Sequence, residues 1–225
     1  MKNLATAAII AASMSSAHVS AQTLTVSITN LMNGMNLTPA LVAAHPSGTS
    51  LFAVGTAASP ELEALAEGGA TGGLETILDA TTAVRGSTAG LTAPGVTAAD
   101  VMLNTDATPT NTSLTILAML VPTNDAFIAL NIDIPTADGT YTYHINVYDA
   151  GTEANDELAA NMPDPASTAD TGATVGAAGT DANGMVHIHR GALGDTDGAA
   201  GNSDLDSTIH RWLNPGAVVT VTVVN

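Results

Sequence analysis

The chain contains no cysteine, which excludes disulfides, thiolate metal sites and a cysteine nucleophile. Basic residues are almost as scarce. Lys and Arg total 4 against 21 Asp and Glu, a formal net charge of −17 at pH 7. A surface that acidic repels phosphate backbones and anionic lipid, so nucleic acid and membrane surfaces are excluded as partners and cations are favoured. Aromatic residues make up only 3% of the chain, too few to build a stacking cleft for a carbohydrate substrate. No apolar run downstream of the first segment has the length of a membrane-spanning helix. Also absent are Gly-x-Ser-x-Gly, His-Glu-x-x-His, a phosphate loop and a dinucleotide fingerprint, so the expectation is a non-catalytic protein.

What is present begins with an address. Residues 1–21 read as a secretory signal, with Lys2 at the positive start, an apolar run over 4–12 and the small-residue site Val19-Ser20-Ala21 before Gln22. The protein is therefore expected to be exported, secreted or periplasmic, with one domain over 22–225. Losing Lys2 leaves three Arg and no Lys and takes the formal charge from −17 to −18. An exported domain without disulfides needs another brace for its loops, and a bound metal is the obvious substitute.

The hydropathy pattern is mostly that of strands. Leu24, Val26 and Ile28 alternate with Thr25, Ser27 and Thr29, the period of a half-buried strand. Residues 114–120 are continuously apolar, as in a central strand, and residues 127–132 follow after Pro122. The stretch 140–148 alternates, with Tyr141, Tyr143, Ile145 and Val147 on one face, and 185–189 and 218–224 read as further strands. Two short helices are expected. One has Ser59 as N-cap, Pro60 at its first position and Gly68-Gly69 at its end; the other carries Leu74, Ile77 and Leu78. Residues 149–184 read as a long loop region, with the Ala/Gly/Thr-rich part at 165–183 on the surface. About seven strands with two minor helices describe an all-β, antiparallel β-sandwich. Met32, Met35, Met102 and Met119 are expected as core fillers, and Trp212 as a packing anchor.

Three features bear on chemistry. Asp125 stands just before one strand, Asp149 ends the alternating one, and Glu153 follows across Ala150-Gly151-Thr152. If the two strands are neighbours, as the short connection around Pro135 and Gly139 favours, these acids converge at one tip of the sandwich. Three converging carboxylates repel one another unless a cation joins them, and Ca²⁺ takes hard oxygen ligands of this kind. Alternatively, they are solvated strand ends. The second feature is His187-Ile-His189, whose imidazoles share a face on a strand. With His45 or His210 as a third ligand they would suit Zn²⁺ or Cu²⁺; otherwise they hydrogen-bond backbone or loop acids. The third is the acidic loop from Asp195 to Asp206, which departs from the EF-hand pattern in the place of its glycine, Gly198, and reads as a solvated loop.

Pro122-Thr-Asn-Asp125-Ala-Phe127 followed by Tyr148-Asp-Ala-Gly-Thr-Glu153 resembles the spondin domain, the N-terminal domain of F-spondin and mindin that also occurs alone in secreted bacterial proteins. Leu41-Val-Ala-Ala-His45, Leu51-Phe52 and Leu65-Ala-Glu67-Gly68 resemble its earlier part, so the likeness runs over essentially all of 22–225. It implies a C2-like antiparallel sandwich and a calcium ion held by Asp125, Asp149 and Glu153. Glu153 stands where animal members have Asp, and their disulfides and accompanying thrombospondin repeats are missing. The implied role is a secreted, calcium-binding adhesion or binding module with an extracellular protein or glycan partner. The other readings are a self-associating surface-layer or fibre protein and, more distantly, a transition-metal protein using the histidines.

Overall fold

The computed structural model describes residues 22–163, 183–197 and 201–225. The leader expected at 1–21, and all of the 165–183 loop except Asn183, lie outside the described residues. Among the described residues there are eleven strands and two α-helices. The strands are β1 (Thr23–Asn30), β2 (Asn36–Leu37), β3 (Leu41–Pro46), β4 (Val84–Ser87), β5 (Val101–Asn104) and β6 (Asn111–Val121), then β7 (Ala126–Asp133), β8 (Gly139–Ile145), β9 (Val147–Asp149), β10 (His187–Ile188) and β11 (Ala217–Val224). The helices are α1 (Pro60–Gly68) and α2 (Gly72–Asp79).

The strands form two antiparallel sheets, one in the order β5-β1-β11-β8, the other β10-β9-β7-β6-β3-β4 with β2 on β6. The protein is thus the all-β sandwich that the alternation predicts. β1 places Leu24, Val26 and Ile28 inside, and its partner β11 answers with Val219, Val221 and Val223. Burying these faces between the sheets is the main favourable contribution to the fold.

The unbroken apolar run in β6 has its reason in the helices. One face, with Ile116, Ala118 and Leu120, meets the other sheet; the opposite face, with Leu117, lies under α1 and α2. A strand covered on both sides has no polar face to show. The helices bring Leu62, Leu65, Leu74 and Leu78 to this second core, which Phe52, Phe127 and Tyr148 complete with ring centroids 5.8–6.2 Å apart. α1 begins as its sequence predicts: Ser59 Oγ accepts from the Leu62 amide at 3.2 Å, a cap that contributes about 1 kcal/mol. It ends at Gly69, whose φ of 72° turns its amide back onto Ala64 and Leu65.

Four expectations are corrected. The stretch 140–148 is not one strand: it breaks at Asn146, β8 pairing with β11 in the first sheet and β9 with β7 in the second. Alternation continues through the break because both halves face the same interior. Of the expected 185–189 strand, His187–Ile188 alone is strand, on β9. Met102 is 70% exposed, since Val101 and Leu103 take the inward positions of β5. Lastly, β3, β4 and β5 bring the number of strands above the seven expected. No helix among the described residues is long and apolar enough to cross a membrane.

Candidate metal centre

The turn before β7 is made by local side-chain bonds. Thr123 Oγ1 donates to the Leu120 carbonyl and accepts from the Ala126 amide, at 2.6 and 3.3 Å, which points Asp125 inward. β9 lies beside β7 with Asp149 opposite Ala126, so the first two acids are one residue apart in register. The chain after Asp149 then curls back. Asp149 Oδ1 accepts from Gly151 N at 2.8 Å, and Asp125 Oδ2 accepts from Thr152 N, Glu153 N and Thr152 Oγ1 at 2.9, 3.1 and 3.3 Å. The backbone therefore brings Asp125, Asp149 and Glu153 to one tip, through β9 on β7 and not through the connection around Pro135 and Gly139, which crosses from one sheet to the other.

All three are buried, at 0%, 3% and 2% exposure respectively. Asp125 Oδ1 is also buried and has no hydrogen-bond partner. Among the described residues, no three His, Asp or Glu side chains are gathered closely enough to hold an ion as they stand. The donor set nonetheless fits a hard cation. It consists of oxygens only, and each carboxylate oxygen bonded to an amide keeps a second lone pair.

A fourth acid belongs to this tip. Glu67, in the last turn of α1, is 3% exposed and lies close to Thr152, the residue that serves Asp125. Its position is unfavourable twice over, being buried and at the negative end of a helix that has no basic residue in its last turn. That clash is the sequence signal by which Glu67 could have been found; its motif was noted only as part of the family likeness. Burial raises the Glu67 pKa, Thr152 opposes the shift, and Glu63 and Asp125 add to it. Asp125 is pushed up to about 6 by burial and by the charge of Asp149, against the pull of its three donors. Among the described residues no Lys or Arg pairs with Asp125, Asp149 or Glu67. The nearest cationic candidate is the His187 Nδ1, 3.6 Å from Asp149 Oδ1.

The histidines take the second of the two expected roles, hydrogen bonding in place of a shared ion. His45 is fully buried on β3, bonded to Thr115 Oγ1 at 2.7 Å and the Pro46 carbonyl at 3.0 Å. It lies four strands from β10, about 19 Å, and at the opposite end of the sheet from Asp125. It cannot join His187 and His189. His189 Nδ1 accepts from the Gly191 amide at 3.0 Å, so Nε2 carries the proton and donates to Asn155 Oδ1 at 3.0 Å. Asn155 Nδ2 in turn donates to Asp149 Oδ2 at 2.7 Å. With both ring nitrogens used, His189 positions Asp149 through Asn155 instead of ligating a metal. The His45–His187–His189 site is therefore not formed. Trp212, 7% exposed, packs on the His189 ring at 5.0 Å, the anchor role expected of it.

The acidic loop after Asp195 is likewise structural. Its carboxylate accepts from the amides of Asp197, Asn202 and Ser203, which lower its pKa. Buried Glu157 closes the same loop on Leu193 N, Gly194 N and Ser203 Oγ at 2.6, 2.8 and 2.6 Å.

A pH dependence follows from His189. Burial lowers its pKa to about 4 from the ordinary 6.5, with Asp149 pulling the other way. The neutral ring thus adds stability above about pH 6.5, and that stability is lost as pH falls toward 4. In chelator, the stability advantage of the parent over His189→Gln should shrink by about 3 kcal/mol across this window. Urea unfolding of both proteins at several pH values measures it, and a pH-independent difference would contradict the assignment.

Compared with protein-family models and with curated proteins, the chain matches none.

Proposed function

We propose that the protein is a calcium-binding β-sandwich module that acts outside the cell in adhesion or binding and performs no catalysis. The observation that carries this reading is the buried, unpartnered Oδ1 of Asp125, beside buried Asp149 and Glu67, with no Lys or Arg among the described residues paired to these three acids. Buried charge without a partner costs several kcal/mol, and a divalent cation removes that cost while bracing the loop that begins at Asp149. Asp125, Asp149 and Glu153 would hold the ion, with Glu67 beside them. The likeness of the Asp125 and Tyr148–Glu153 motifs to the spondin domain supports the same ion and the same ligands. On this reading the loops at the ion's tip form the contact surface for an extracellular protein or glycan.

A thermal melt with excess calcium and then with a chelator tests the reading. At about 100 times Kd, calcium should add roughly 2.7 kcal/mol, a rise of several degrees for a domain of this size. Asp149→Asn should lower both calcium affinity and melting temperature, and His187→Ala should leave calcium affinity intact. A melting temperature indifferent to calcium would reject the ion.

A further inference from the structure

The chain has three arginines, and they are not equivalent. Arg85 is held by carboxylates, 2.9 Å from Glu75 Oε2 and 3.1 Å from Asp79 Oδ1. Arg190 and Arg211 are exposed, and among the described residues neither has a carboxylate within ion-pair distance. That is unexpected in a chain with 21 acids, where a free guanidinium has many possible partners. The two also line one cleft of about 450 Å³, although 21 positions separate them in sequence. Two like charges on one cleft, with no carboxylate partner among the described residues, favour a group of opposite charge between them.

The rest of the cleft narrows the choice. Leu31 and Leu213 are 48% and 86% exposed on its rim, and buried Trp212 forms part of its wall. A volume of this order takes a small ligand or a few residues of peptide. Guanidinium forks recognise carboxylates by paired hydrogen bonds, and exposed leucines beside them favour aliphatic neighbours. With one aromatic ring in the lining, sugar stacking has little support. The net charge repels an acidic partner at long range, but over distances beyond about 8 Å that repulsion is screened at physiological salt.

We propose that the cleft between Arg190 and Arg211 binds an acidic peptide segment of a partner protein, its carboxylates on the two arginines and its aliphatic side chains on Leu31 and Leu213. The proposal does not depend on the calcium site.

The single tryptophan of the chain is a built-in reporter. The full protein is titrated with an end-blocked peptide of alternating Leu and Asp, then with its Leu/Asn twin, following Trp212 fluorescence and calorimetric heat. The expected result is saturable binding of the Asp peptide, at least tenfold weaker for the Asn twin and at least tenfold weaker in Arg190→Gln and in Arg211→Gln. Both substitutions are at exposed positions, and unchanged far-ultraviolet circular dichroism confirms that the variants fold. Binding of equal strength in calcium and in chelator is also expected. No saturable signal, equal binding of the Asn twin, or indifference to both substitutions would overturn the proposal. So would loss of binding in chelator, which would move recognition to the carboxylate tip.

Discussion

Asp125→Asn should lose the whole calcium-dependent rise in melting temperature and yet, in chelator at pH 7, be no less stable than the parent. The two halves of this expectation have one cause. Asp125 is fully buried, and its pKa is raised to about 6 from the ordinary 3.8. Its contribution to metal-free stability is therefore present below about pH 4 and is lost as pH rises through 6. At pH 7 the buried anion costs up to about 3 kcal/mol without a cation. Asparagine removes that cost and keeps an oxygen for the Thr152 and Glu153 amides. Its amide nitrogen takes the unpartnered position of Oδ1, which returns about 1–3 kcal/mol of the gain. With calcium, the parent gains roughly 2.7 kcal/mol at about 100 times Kd and the variant gains nothing. Calorimetric melts of both proteins, each in calcium and in chelator, decide the matter. A variant that still responded to calcium would remove Asp125 from the ligand set.

Gly151→Ala should be the most damaging single change near the tip. Gly151 has φ of 72°, and a Cβ there would stand 2.5 Å from Met185 N and 2.6 Å from Met185 O. The left-handed conformation alone costs about 1–2 kcal/mol for an L-residue. Backbone cannot yield as a side chain can, so the collision adds to this, and a total loss above about 3 kcal/mol is expected. The loss reaches the site as well. The Gly151 carbonyl accepts from Gly184 N at 3.0 Å, tying the segment before β10 to the turn that presents the Glu153 amide to Asp125. Urea unfolding and calcium calorimetry should show stability and affinity falling together. Thr152→Ala, one position on, should cost much less, since it removes only the hydroxyl contact to Asp125. A Gly151→Ala midpoint equal to that of the parent would mean that the turn is not closed against Met185.

Both variants lie within a stretch whose outline is legible in the sequence. Period-two alternation in β1 and β11, the unbroken apolar run of β6, the Ser59-Pro60 start of α1 and the place of Asp125 and Asp149 at strand ends all follow from local pattern. Each of these depends on which way successive side chains point, and backbone geometry sets that over a few residues. The curl that brings the Glu153 amide to Asp125 is equally local, a short turn around one glycine.

Other features have no local signature. Asn146 divides one alternating stretch between two sheets, because pairing is chosen by distant partners, β11 for the first half and β7 for the second. Glu67 reaches the carboxylate tip only because α1 packs on the outer face of the sheet. The His189–Asn155–Asp149 relay joins residues up to 40 positions apart, and the same folding that builds it carries His45 to the far side of the sheet. Met102 and Met35 read alike in sequence but finish on opposite sides of the surface. Sequence alone thus determined the sandwich class, the two helices and the acids at one tip, all consequences of short-range periodicity and capping. Tertiary structure decided which sheet each strand joins, which charges are buried together and which arginine finds carboxylates, since those depend on contacts between segments that no local pattern relates.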